Sequence, residues 1–246
     1  MNWTADQVCL QMPSSTQVLA AALYERTCRT GFDAPGFATV NLGKNLTSSE
    51  FRNLMVELKA AMATIHESAT GQSLHYQSVA RFDQQISTKL HRDGGPEECF
   101  LMLGYEPSEV ASELNLADYS RCAFELGITP QEFLARHNPI FNAGASLLQP
   151  YTTRVPCFQN DSYQIVCINN SSSAPSSDQP KWQGVLHTAT ILTPDDAKRR
   201  VINSTMIVPA PQGTQEVITA SQLQDFITTQ KVRRQGYDKR HLHDDE

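Results

Sequence analysis

No apolar run in this chain approaches the length a helix needs to cross a bilayer. The first twenty residues lack both a basic start and a long apolar stretch, so no secretion signal is expected there. Positive charge is scarce: 20 Lys and Arg against 26 Asp and Glu leave a net charge of −6. No broad positive field is available to collect phosphates. The one basic cluster, Lys231-Val232-Arg233-Arg234, is soon followed by acidic residues and reads as a solvated end. Membrane insertion and nucleic-acid binding are therefore not expected. None of the six cysteines belongs to a C-x-x-C pair. Cys9, Cys28, Cys99, Cys122, Cys157 and Cys167 are expected to be buried free thiols of a cytoplasmic protein rather than a disulfide framework. No internal repeat is visible.

What is present suits one domain over 1–246, with a hydrophobic fraction of 40% to fill a core. The segment Ser15–Arg29 reads as a helix. Thr47-Ser48-Ser49-Glu50 is a capping box, in which hydroxyl and carboxylate satisfy free N–H groups reciprocally. Phe51, Leu54, Met55, Leu58, Met62 and Ile65 follow at helical spacing and mark a packing face. From Leu74 the period changes to two. Leu74–Asp83 and Ile86–Leu90 alternate as strands do, and Cys99–Tyr105 is an apolar strand. Residues 107–143 read as a helical insertion, with helices over Ser108–Leu116 and Asp118–Leu126 and a third capped by Thr129. Strands are expected at Leu147–Phe158, Ser162–Asn169, Trp182–Leu192 and Arg199–Pro209. The loop Ser171–Pro180 is expected to be mobile, Ala220–Lys231 helical, and the last dozen residues disordered. Helices followed by many short strands suggest an α+β chain around a sandwich or barrel. The divisions are N-terminal helical support over 1–71, a strand-rich core over 72–210, and a C-terminal helix and tail over 211–246.

The chemistry-bearing residues fall in a definite order. His91-Arg92-Asp93 lies at a strand end running into the turn Asp93-Gly94-Gly95-Pro96, where alternation points His91 and Asp93 the same way. His187 lies in a later apolar strand, and Arg199-Arg200 opens the next one. Two imidazoles and a carboxylate can occupy one face of a six-coordinate Fe(II) and leave adjacent positions open. They could equally hold Zn(II) with a water in a hydrolase. Taken singly, His91 and Asp93 could be turn formers, His187 a core residue, and the Arg pair a solvated edge.

The ordered set H-x-D, distal His and strand-borne Arg resembles the Fe(II)/2-oxoglutarate dioxygenase superfamily over roughly 72–210. The resemblance implies a double-stranded β-helix, or jelly roll. It implies His91, Asp93 and His187 as metal ligands and 2-oxoglutarate as co-substrate, with its far carboxylate held by Arg200 or Arg199. It also implies a small-molecule substrate oxidised with release of succinate and CO2. With Arg200 inward, Ile202, Ser204 and Met206 share its face; with Arg199 inward, Val201, Asn203 and Thr205 do. Arg200 is preferred. The place where prolyl-hydroxylase-like members carry a Tyr holds Phe82, so Tyr76 or Arg81 is a candidate to position the co-substrate. Arg81, Arg121 and Arg154 are candidates to pair with a substrate carboxylate, and 107–143 and Ser171–Pro180 are candidate lids. A jelly-roll binding module without redox chemistry remains the alternative, beside the metal hydrolase. Oligomeric state is not legible.

Overall fold

In a computed structural model, which describes residues 3–13, 15–176 and 178–235, the chain is α+β. Its elements are α1 (Ala5–Val8), β1 (Cys9–Leu10), α2 (Thr16–Thr27), β2 (Phe37–Gly43), α3 (Ser48–Thr70), β3 (Ser73–Gln84), β4 (Phe100–Tyr105) and β5 (Ser112–Ala117). Then come α4 (Tyr119–Glu125), α5 (Pro130–Arg136), α6 (Asn142–Leu148), β6 (Thr152–Arg154), β7 (Tyr163–Asn169), β8 (Leu186–Ile191), β9 (Val201–Ala210), α7 (Ala220–Thr228) and β10 (Arg233–Gln235). The tail expected to lack order, with His241 and His243, lies outside the described residues. Among the described residues no helix is long and apolar enough to cross a membrane.

The strands form two sheets, β1-β2-β7-β4-β9-β3-β10 and β6-β5-β8. The interior pairings are antiparallel; β1 with β2 and β10 with β3 are parallel edges. Period-2 alternation divides each strand between two cores. On one face of the large sheet, Phe100, Met102, Ile165, Cys167 and Ile207 pack with Leu19 and Leu23 of α2 and with Phe51, Met55, Leu58 and Met62 of α3. On the other face, Leu101, Leu103, Tyr105, Val166, Ile168 and Ile202 meet Leu114 and Leu116 of the small sheet. Burying each such large side chain contributes about 1.5–3 kcal/mol. The capping box forms as read: Thr47 Oγ1 accepts from Glu50 N, and Glu50 accepts from Thr47 N.

The connections alternate between sheets. After β3 in the large sheet, residues 86–91 run beside β8 of the small sheet. The chain then returns to β4, crosses to β5 and β6, returns to β7, crosses to β8 and ends in β9. Ile86–Leu90, expected as a regular strand, is not one. The Ser87 and Thr88 hydroxyls take the N–H groups of Ile191 and Ala189 that carbonyls would accept in a ladder.

Other expectations are corrected as well. Ser108–Leu116 is not a helix: its second half is β5, whose buried Leu114 and Leu116 alternate with half-buried neighbours and pair with β8 and β6. The helical insertion therefore reduces to α4, α5 and α6, and it continues into Leu147–Leu148, which was expected to open a strand. The start of the Ser171–Pro180 loop is not loose. Ser171, Ser172 and Ser173 are buried; Ser171 Oγ donates to Cys99 O, and Ser172 N donates to Glu97 O. Gly184 permits this, since a Cβ there would collide with the Ser171 carbonyl oxygen. Finally, Cys9 and Cys157 form a disulfide. The fold brings their Cα atoms to 6.2 Å, within bonding range, and their 148-residue separation in sequence gave no hint of it. The other four cysteines are free and buried, as expected.

A buried ion pair joins the layers. Arg29, just past α2, donates to both carboxylate oxygens of Asp118 at 2.8 and 2.5 Å. It also donates to the carbonyls of Ala34 and Gln183. Asp118 in turn caps α4 through Arg121 N. Removing one partner of a buried pair leaves an uncompensated charge. Asp118→Ala is expected to cost about 3–5 kcal/mol in urea denaturation, against about 1 kcal/mol for the exposed cap change Thr47→Ala.

Candidate metal centre

The bridge between His91 and His187 sets the site. His91 N donates to His187 O at 3.0 Å, and His187 N donates to His91 O at 2.9 Å. Residues paired this way across antiparallel chains place their side chains on the same face. The two rings lie with centroids 4.3 Å apart. Asp93, two residues on, turns back to them, with its Oδ1 3.4 Å from His91 Nε2 and 3.8 Å from His187 Nε2. One ligand atom from each of the three lies within 4.8 Å of the other two.

Neighbours fix the orientation of His91 and Asp93. His91 Nδ1 lies 2.8 Å from Lys89 O, so the carbonyl selects the tautomer with Nδ1 protonated and frees Nε2 as a donor to metal. Asn170 holds Asp93 at both ends of its peptide: its Oδ1 accepts from Asp93 N, and its Nδ2 donates to Asp93 O, each at 2.9 Å. His187 Nδ1 is buried without a hydrogen-bond partner. The charge states follow from these surroundings. The hydrogen bond to Asp93 raises the His91 pKa above its usual value, against the effect of burial. For Asp93, burial pushes upward, but the His91 hydrogen bond and both imidazoles outweigh it and lower the pKa. Burial drives His187 down to about 4, so it stays neutral near pH 7.

The triad lies in the wall of a cavity of about 470 Å³ between the sheets, within the range of small-molecule sites. Arg200 lies in the same wall, 2% exposed. Its guanidinium donates from Nε to Ser112 Oγ at 3.0 Å and from Nη1 to Gln84 O at 3.2 Å, and sits 5.1 Å above the Tyr105 ring centroid. Nη2 is buried with no partner. Arg199 is exposed and does not line the cavity. The structure thus brings together His91, Asp93, His187 and Arg200, with Ile202 and Ser204 on the face that an inward Arg200 requires.

Other candidates fall elsewhere. Tyr76 faces α3, under Lys59. Arg81 pairs with Glu106 at 3.1 Å, Arg121 with Glu125 at 2.9 Å, and Arg154 with Glu113 at 2.5 Å. None of these four lines the cavity. Of the supposed lids, no described residue of Ser171–Pro180 lines it, and 107–143 does so only through Leu114 and Leu116 of β5. The insertion helices pack around Ala117, Leu186 and Leu90, residues that the cavity lining does not include. Tyr105, Ser112 and Asn170 were missed. Tyr105 was within reach, because it alternates with Leu101 and Leu103; nothing in the sequence marks Asn170.

The donor set fits a mononuclear metal ion with open positions: two neutral-capable imidazoles, one carboxylate and an orphaned buried guanidinium N–H nearby. No family model matches the chain, and no curated protein matches it. Among solved structures, three forms of the iron and alpha-ketoglutarate-dependent endoperoxidase NvfI are similar at 14% identity: the enzyme itself, a different conformation and a tryptophan-to-phenylalanine variant. They cover 71–77% of this chain and 79–83% of theirs, with TM-scores of 0.36–0.39. At that level of likeness, neither fold nor function passes from that enzyme to this chain.

A pH dependence follows. Where His91 carries the proton that Asp93 favours, a metal ion must displace it, whereas His187 has none to lose near neutrality. With the His91 pKa above 6.5, Co(II) affinity should rise with pH through the window just above 6.5, by up to about tenfold per unit. Calorimetry in two buffers of different ionisation enthalpy should show more proton released per ion at the low end of that window than at higher pH. Release of none there would show His91 already neutral.

Proposed function

We propose that this chain is an Fe(II)- and 2-oxoglutarate-dependent oxygenase acting on a small molecule. The observation that carries this reading is a single cavity holding both the His91–Asp93–His187 cluster and a buried Arg200 with an unsatisfied N–H. A hydrolase needs the first but not the second. The alternation of strands between two sheets supports a double-stranded β-helix as the scaffold.

His91, Asp93 and His187 would hold the ion, each through the atom that now faces the cluster. Fe(II) with 2-oxoglutarate supplies O2 activation coupled to oxidative decarboxylation, giving succinate, CO2 and an oxidised product. Arg200 would bind the far carboxylate of the co-substrate. Ser112 and the Gln84 carbonyl fix the guanidinium plane, and the Tyr105 ring supports it from below, leaving Nη2 to donate. Arg200 itself is buried, so that contact would form in a low-dielectric setting.

The test is binding under anaerobic conditions. Fe(II) with 2-oxoglutarate should give a visible charge-transfer band, absent in His187→Ala. Arg200→Ala should weaken 2-oxoglutarate binding by about 2–5 kcal/mol, roughly thirty- to several-thousand-fold, while leaving Fe(II) binding nearly intact. Arg199→Ala should do far less. Binding of neither iron nor 2-oxoglutarate would sink the proposal, and Zn(II) uptake without 2-oxoglutarate affinity would favour the hydrolase.

A further inference from the structure

Resting on the oxygenase reading, the cavity's charge inventory leads us to infer that the substrate is a neutral, largely apolar small molecule. Besides the two histidines and the Tyr105 phenol, the ionisable groups in the cavity wall are Asp93 and Arg200. The first is committed to the metal and the second to 2-oxoglutarate. Much of the remaining lining is hydrocarbon, from Phe82, Ile86, Leu114, Leu116, Ile168 and Ile202.

Four of the nearby cations are engaged elsewhere. Arg81, Arg121 and Arg154 are each paired to a glutamate outside the cavity. Arg92 donates to the carbonyls of Asn170 and Pro96. Several of the cavity's polar groups also serve one another. The Thr88 and Thr188 hydroxyls lie 3.3 Å apart, and the Gln84 side chain donates to Ile86 O at 2.9 Å. A carboxylate or ammonium entering the loaded site would lose water and gain no counter-charge, which is strongly unfavourable. An alkyl or ring surface would gain the burial that this wall offers.

Ile86 gives a handle on the inference. It lines the cavity, yet it is 48% exposed, so it sits where a substituted side chain can still reach water. The experiment titrates Co(II)-loaded protein, saturated with 2-oxoglutarate, with 1-octanol, octanoate and octylamine, followed by ligand-observed NMR. We expect 1-octanol to bind at least about tenfold more tightly than either ion, and Ile86→Lys to bring octanoate up to or past 1-octanol. Equal or tighter binding of either ion to the unsubstituted protein overturns the inference, as does no binding of 1-octanol. Co(II) and 2-oxoglutarate uptake are read first and separately. Failure there overturns the oxygenase reading and this inference with it, whereas normal uptake with a preference for an ion overturns this inference alone.

Discussion

Two backbone hydrogen bonds between His91 and His187 hold the candidate centre together. They join a segment that is barely a strand to the small sheet, and so place two imidazoles from distant parts of the sequence on one face. Everything else at the site hangs on that pairing. Asp93 reaches the rings because the chain turns immediately after the bridge, and Asn170 pins that turn from β7's end. Side-chain hydroxyls on Ser87 and Thr88 replace the ladder around the bridge. The segment is therefore held by specific contacts rather than by regular strand pairing.

The same geometry divides labour between two histidines that look alike in sequence. His187 is half-buried in a strand and is held neutral chiefly by its loss of solvation there. His91 stands at the turn, hydrogen-bonded to Asp93 and to Lys89 O, and keeps its proton longer. Wherever His91 keeps its proton, the metal-free cluster is close to charge-balanced: that imidazolium offsets the Asp93 carboxylate beside a neutral His187 ring. A divalent ion replaces the proton, and the cluster gains only one positive charge. That limits the electrostatic cost of filling a site between two apolar sheets.

Much of this was legible. The capping box at Thr47, the apolar stripe of α3 and the short apolar runs of β4, β7 and β9 each state their element locally, since a strand covered on both faces, as β4 and β7 are, takes apolar residues throughout. Alternation left two registers for the Arg199–Arg200 pair, and the structure puts Arg200 in the cavity wall with Ile202 and Ser204. What failed to show was non-local. Ser112–Ala117 looked helical within a helix-rich stretch, because its strand character depends on partners in β8 and β6. The Cys9–Cys157 disulfide depends on a meeting across the fold. Tyr76, offered as a candidate to position the co-substrate, faces the helix-covered core instead.

That last error exposes a feature on which the cavity depends. β3 pairs with β9 in register on both sides of Gln77, but Tyr76 faces Ile207 while Ser78 faces Met206, so one residue is extra. Such a bulge reverses the alternation of everything after it. Before it, Leu74 and Tyr76 point into the helix-covered core. After it, Phe82 and Gln84 point into the cavity, while Arg81 turns to Glu106 and Asp83 takes the Arg200 N–H on the other side. Without the bulge, Arg81 would point into the space between the sheets and Phe82 away from it. A single inserted residue thus keeps a cation out of the cavity, puts a phenyl ring in its wall, and leaves Arg200 as its guanidinium.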